Sequence, residues 1–361
     1  MEKIKVLVVD DSAFMRKVIA DFLSEHSQIE VVGVARNGQD ALQKIQSLKP
    51  DVVTLDVEMP IMNGLEALQQ IMKHHPLPVV MLSSTTKEGA ESTIAAMHYG
   101  AVDFVTKPSG HISLDLYKVK EQIIEKVILA SRANLHGMKN QEIIPIIASF
   151  QQSSYSKMDI KTSSQNHRKK IICIGTSTGG PRALQQVLTQ LPAHIEAPIV
   201  IVQHMPKGFT KSLAQRLNSL CAISVKEAEH QEVLKQGVAY IAPGGAHFSV
   251  VSSGKGLVAH IDDSPPRNGH RPSVDVLFES VSMLSEYEKI AVIMTGMGSD
   301  GTAGLKQLKA VGHTKAIAES EDTAVVFGMP KSAISTRLVD DVVPLEEIAE
   351  TIMKYVGRQG V

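Results

Sequence analysis

One alternation, made twice, constrains this chain more than any other feature. Apolar runs at 6–9, 31–35, 52–55, 79–82 and 103–105 are separated by segments whose apolar residues recur every three or four positions, at 14–24, 38–48, 64–73, 91–98 and 113–131. Runs of strand length in step with amphipathic helices predict a doubly wound parallel sheet of five strands. From about 132 to 169 the order dissolves into a polar, Ser- and Gln-rich stretch, expected to be a linker with residues 143–147 as a docking segment. A second α/β series follows. Its expected strands are 171–174, 199–203, 239–242, 248–251 and 290–294, with helices at 182–191, 210–220, 274–284, 304–310 and 345–355. Residues 247–252 and 256–261 fit an antiparallel hairpin turning on Ser253-Gly254. The second unit is thus expected to be doubly wound and mostly parallel, with that hairpin added. At 361 residues the chain exceeds one ordinary domain. The expected division is 1–125, a linker at 126–168, and 169–361.

Composition excludes several function classes. Only 4% of residues are aromatic, none is Trp, and the net charge is −1, which argues against base stacking or a basic nucleic-acid face. Cys173 and Cys221 cannot build a disulfide framework, and Cys173 sits in an apolar run as a core thiol. No stretch approaches the ~18 apolar residues of a membrane span. The first residues lack the pattern of a secretory signal, so a reducing cytoplasm and no membrane insertion are expected.

Strand ends carry the chemistry of the first unit. Asp10 and Asp11 close the first apolar run, Asp56 the third and Ser83 the fourth, while Lys107 follows the fifth. In a doubly wound sheet, ligands sit at the carboxyl ends of strands near the switch point, so these groups should converge. Clustered carboxylates repel unless a cation joins them, and hard oxygens suit Mg²⁺. Any one Asp here could be a helix cap, but five such groups at successive strand ends make a phosphoryl-accepting site the stronger reading.

The segments Val-Val-Asp10-Asp11-Ser12, Leu55-Asp56-Val57-Glu58-Met59-Pro60, Asn63-Gly64, Ser83 and Thr106-Lys107-Pro108 resemble the receiver domain of two-component response regulators, over nearly all of residues 4–125. The resemblance implies that Asp56 accepts a phosphoryl group from a histidine kinase. It implies Mg²⁺ ligation by Asp11, Asp56 and the backbone carbonyl of Glu58, with Asp10 acting through water. Ser83 and Phe104 match the switch positions.

In the second unit, Ile171-Ile-Cys-Ile-Gly175-Thr-Ser177-Thr-Gly179-Gly180-Pro181 reads as strand, Gly-rich turn and helix. Ser177 replaces the second glycine of a dinucleotide fingerprint, and no P-loop lysine is present. A hydroxyl on a tight turn at a helix N-terminus suits a nucleophile instead. His204 ends the run 199–203 and Asp300 follows the run 290–294. A base and its orienting carboxylate are what a serine needs at neutral pH, and their chain order is free. His230, His247, His260, His270 and His313 are expected at the surface or in polar loops. His74-His75 lack partners at metal spacing, so zinc is not expected.

Together with Gln203-His204-Met-Pro-Lys-Gly, Tyr240-Ile-Ala-Pro-Gly, His270-Arg-Pro-Ser-Val-Asp, Thr295-Gly-Met-Gly-Ser-Asp300-Gly and Val326-Phe-Gly-Met-Pro, this half is similar to the chemotaxis protein-glutamate methylesterase / protein-glutamine glutaminase family. Thr176 departs from the family's frequent Ala. The resemblance implies a phosphorylation-activated serine hydrolase with Ser177, His204 and Asp300 as its triad and no cofactor for the ester chemistry. Its implied substrates are methyl esters and certain glutamines of methyl-accepting chemoreceptors, and its phosphodonor is the chemotaxis histidine kinase. Two other readings compete. A DNA-binding response regulator needs a compact basic helix-turn-helix in place of a large α/β unit. A receiver-bearing phosphate sink needs no complete Ser, His and Asp set.

Overall fold

The computed structural model describes residues 2–107, 114–135 and 168–357. The expected docking segment at 143–147 lies outside them. Strands β1 (Ile4–Val9), β2 (Ile29–Ala35), β3 (Val52–Asp56), β4 (Val79–Ser83) and β5 (Asp103–Thr106) form a parallel sheet in the order β2-β1-β3-β4-β5. Helices α1 (Ala13–Ser24), α2 (Gly38–Leu48), α3 (Gly64–His74), α4 (Lys87–His98) and α5 (Leu114–Ala130) alternate with them. The first four helices start where a short polar side chain satisfies an open N–H: Ser12 bonds Met15, Asn37 bonds Asp40, Asn63 bonds Glu66 and Thr86 bonds Gly89. The Thr86 cap starts α4 at Lys87, four residues before the apolar period becomes visible.

The second unit holds a seven-stranded sheet. Its members are β6 (Lys169–Thr176), β7 (Ile199–Gln203), β8 (Ser224–Glu227), β9 (Val238–Ile241), β12 (Tyr287–Ile293), β13 (Thr314–Glu319) and β14 (Asp341–Val343), in the order β14-β13-β12-β6-β7-β9-β8. Every pairing in it is parallel. Strands β10 (His247–Ser253) and β11 (Gly256–Asp262) form a separate antiparallel hairpin. The pairing of Ser253 with Gly256 leaves Gly254-Lys255 as its turn, one residue on from the expected Ser253-Gly254. Helices α6 (Gly180–Leu188), α7 (Phe209–Asn218), α8 (Val274–Ser282), α9 (Thr302–Ala310), α10 (Met329–Ser335) and α11 (Leu345–Val356) complete the unit. The apolar pattern does not reveal β8, β13, β14 or α10. β13 is the clearest case, because the buried strand Thr-Lys-Ala-Ile-Ala-Glu carries a single large aliphatic side chain.

The sheets place their centres by the same rule. β1 lies between β2 and β3, and β6 lies between β7 and β12, so each unit reverses its winding direction at its first strand. Crevices open beyond the carboxyl ends there. Fully buried rows such as Leu7, Val9, Val53 and Leu55 in one sheet, and Ile172, Ile174, Ile199 and Ile201 in the other, hold these ends rigidly. The two units also touch. Helix α4 packs on α6 and α7. Phe104 of β5 stacks on Phe209 of α7 with ring centroids 4.6 Å apart, a contact worth about 0.5–1.5 kcal/mol beyond its buried area.

Candidate functional site

At the first crevice, carboxylate oxygens of Asp10, Asp11 and Asp56 lie within 4.8 Å of one another. Lys107 places its ammonium 2.8 Å from Asp10 Oδ2 and 2.8 Å from Asp56 Oδ2. One ammonium leaves two negative charges uncompensated, a donor set that fits a divalent cation. Burial pushes Asp56 up to about 6, against the pull of Lys107 and together with repulsion from Asp10. Lys107 is raised above the ordinary lysine range, since its two carboxylate partners outweigh the desolvation that opposes them. Glu58 donates its backbone N–H to Asp56, while its own carboxylate accepts a bond from Ser84 at 3.3 Å. Gly64 lies so close to the Asp56 backbone that an added Cβ would sit 2.0 Å from its carbonyl oxygen.

Ser83 is fully buried and its hydroxyl is turned toward α4. It donates to the carbonyls of Ser84 (3.1 Å) and Gly89 (3.2 Å) and accepts from Thr93 at 2.6 Å. It therefore joins the acidic cluster's strand edge without joining its hydrogen bonds. Phe104 is buried against Phe209 at the boundary between the units.

At the second crevice, Thr176 and Gln203 are register partners on β6 and β7, so the next residues, Ser177 and His204, leave the sheet side by side. Gln203 reinforces this, its amide donating to the carbonyls of Ser177 (2.9 Å) and His204 (3.2 Å). Gly179 takes the left-handed backbone (φ 78) that lets the chain turn at once into α6. His204 Nε2 lies 2.8 Å from Asp300 Oδ2. Its other nitrogen, Nδ1, is buried and has no hydrogen-bond partner among the described residues. An Nε2–H donated to the carboxylate leaves Nδ1 as a lone-pair acceptor.

Asp300 is held from several sides. It accepts from the Ser273 hydroxyl (2.9 Å) and from the backbone N–H groups of Val274 (2.7 Å), Asp275 (3.0 Å) and Gly301 (3.1 Å). Burial opposes its charge, but the His204 bond and these N–H donors win and bring it down to about 2. His270, expected at the surface, instead stacks face to face on His204, with centroids 4.0 Å apart and planes within 8°. Burial and repulsion from His204 lower His270 to about 4, leaving it neutral at neutral pH. Only its place two residues before Pro272 in a dense motif hinted at this. His247 is also buried, 3.1 Å from the Pro265 carbonyl. Cys173 is buried as expected, its thiol pushed above the ordinary range by desolvation.

Both halves match known families. A model described as CheB methylesterase matches residues 172–352, and one described as response regulator receiver domain matches residues 6–116. A protein-glutamate methylesterase/protein-glutamine glutaminase from Geobacillus kaustophilus is 63% identical, over 99% of this chain and 100% of its own. One of the same name from Bacillus subtilis is 53% identical, over 99% and 100%. The crystal structure of the Thermotoga maritima CheB methylesterase catalytic domain is 45% identical and covers 51% of this chain and 97% of its own, with a TM-score of 0.49. Among the described residues, no helix is long and apolar enough to cross a membrane. With a serine-bearing turn and a His–Asp pair at one crevice, a carboxylate cluster at the other, and near-complete coverage by such relatives, the chain belongs to the CheB methylesterase family and carries that family's receiver domain.

Proposed function

We propose that the chain hydrolyses glutamate methyl esters, and deamidates glutamines, on chemoreceptors, under control of phosphorylation at Asp56. The observation that carries the reading is His204, bonded to Asp300 through Nε2 with a buried, unpartnered Nδ1, on the strand end next to the one that Ser177 follows. Ser177 Oγ attacks the side-chain carbonyl carbon, and His204 takes the hydroxyl proton. As the acyl–oxygen or acyl–nitrogen bond breaks, the proton passes to departing methanol or ammonia. A water molecule then attacks the acyl-serine, again through His204, releasing glutamate and restoring Ser177. Asp300 fixes the ring and stabilises its charged form. Backbone N–H groups near Met297 or in the 177–180 turn hold the oxyanion. Methanol release from methylated receptor membranes tests the reading, with ammonia release as its counterpart for glutamine.

In the receiver, Mg²⁺ would be held by Asp11, Asp56 and the Glu58 carbonyl, with Asp10 through water. When bound, it offsets charge on the transferred phosphoryl group. The kinase-derived phosphoryl group sits on Asp56, and Lys107 and the Ser83 hydroxyl turn to its oxygens. Withdrawing Ser83 from the Gly89 carbonyl loosens α4, which packs on α6 and α7. Asp56→Ala is expected to retain basal methanol release and lose all stimulation by a small-molecule phosphodonor. Chelation with EDTA should block phosphorylation of the wild type and leave basal hydrolysis unchanged.

The unphosphorylated receiver restrains the catalytic turn. Asp103 of β5 accepts a hydrogen bond of 2.5 Å from the hydroxyl of Thr178, the residue after Ser177. Lys126 holds the other Asp103 oxygen at 2.7 Å. Asp103→Ala is expected to raise basal methanol release several-fold and shrink the stimulation by phosphodonor. Unchanged basal release would contradict restraint through this contact.

A further inference from the structure

Glu319, the last residue of β13, is fully buried. Its Oε2 accepts the backbone N–H of Thr295 at 2.8 Å and its Oε1 accepts the hydroxyl of Thr323 at 3.1 Å. Thr295 in turn grips the nucleophile turn at two points. Its carbonyl accepts the N–H of Ser177 at 3.0 Å, and its hydroxyl donates to the carbonyl of Thr178 at 2.9 Å. The following residue, Gly296, lies so close to Ser177 that an added Cβ would stand 2.8 Å from the serine's own. Thr295, which fixes Ser177, is thus itself held from behind by Glu319 Oε2 at its N–H, while Val326 bonds its hydroxyl and the Gly296 N–H.

We infer that Glu319 is a positioning residue for the nucleophile, acting as a hydrogen-bond acceptor that locks the Thr295 peptide against Ser177 and Thr178. The inference rests on the reading of Ser177 as nucleophile. The carboxyl is held by neutral donors, and burial pushes it up to about 7, with Arg182 and those donors opposing. Its part is therefore that of an oxygen in a fixed place, and a neutral amide can replace it. A glutamine can present its oxygen to Thr295 and its amide to the Thr323 hydroxyl, which also accepts the Leu345 N–H at 3.0 Å. A methionine of similar length fills the space and offers the Thr295 N–H no strong acceptor.

The test compares Glu319→Gln, Glu319→Met and Ser177→Ala in the full-length protein by steady-state methanol release from methylated receptor membranes, with thermal unfolding of each variant. Glu319→Gln should keep kcat within about twofold of wild type. Glu319→Met should lower kcat on the order of tenfold to a hundredfold with KM little changed, because misplacing a reacting group by about 1 Å costs up to that much. Equal kcat in the Gln and Met variants, whether both intact or both reduced, overturns the role of Glu319 while a silent Ser177→Ala leaves the nucleophile assignment standing. An active Ser177→Ala overturns both. Should the Met variant not fold, the Gln variant decides, and its loss of kcat at wild-type thermal stability overturns the inference.

Discussion

Replacing Ser177 with alanine is expected to remove methanol release almost entirely, by a factor on the order of 10⁵ in kcat, while Asp56 still accepts a phosphoryl group at the wild-type rate. The size follows from how such sites work. Without the nucleophile, His204 and Asp300 have no proton to move, and only binding and oxyanion stabilisation remain. The independence of phosphorylation follows from the architecture: Asp56 ends a strand of one sheet and Ser177 follows a strand of the other, each at its own crevice. The substitution removes one oxygen from a partly buried position without adding bulk, so folding should be undisturbed. Retained hydrolysis would remove Ser177 from the chemistry.

Asp300→Asn should lower kcat by about 10⁴-fold, for a reason of tautomer as much as of charge. The carboxylate accepts from His204, from the Ser273 hydroxyl and from three backbone N–H groups, and it donates nothing. An asparagine must turn its NH₂ toward one side. The Ser273, Asp275 and Gly301 donors all address Oδ1 and keep the amide oxygen there, so the NH₂ takes the place of Oδ2 and faces His204 and the Val274 N–H. A donor aimed at Nε2 forces the proton onto Nδ1, and Nδ1 can then no longer accept from Ser177. The exposed readout is kcat, with proton resonances of the imidazole reporting the tautomer. Hydrolysis near the wild-type rate would show that Asp300 does not set the ring's proton.

Much of this was legible in the chain because both units use the same geometry. A doubly wound sheet delivers the residues after its central strands to one crevice, so Asp10, Asp56, Ser177 and His204 could be placed from strand ends alone. Asp300 could be placed nearly as well, although it reaches the crevice through a loop beyond β12. Other parts carry no such mark. His270 reaches His204 from a loop that returns after the hairpin, and no local period encodes a ring stack between residues so distant in sequence. Glu319 carries no such mark because its strand is built largely from alanine and polar residues, which form no aliphatic run. The hydroxyl of Ser83 was expected at the acidic cluster, yet in this arrangement it bonds to α4. Position on a strand end fixes where a side chain emerges and leaves its rotamer to its neighbours. The contact of Phe104 with Phe209 likewise depends on how two units meet, which neither unit's pattern contains.

The central claim is that a phosphoryl signal at Asp56 governs ester hydrolysis at Ser177. The most direct measurement is methanol released from methylated receptor membranes by the wild-type protein, with and without a small-molecule phosphodonor and Mg²⁺. The account predicts measurable basal release that rises many-fold with the phosphodonor. No release under either condition, or a release that the phosphodonor leaves unchanged while Asp56 is phosphorylated, would contradict it.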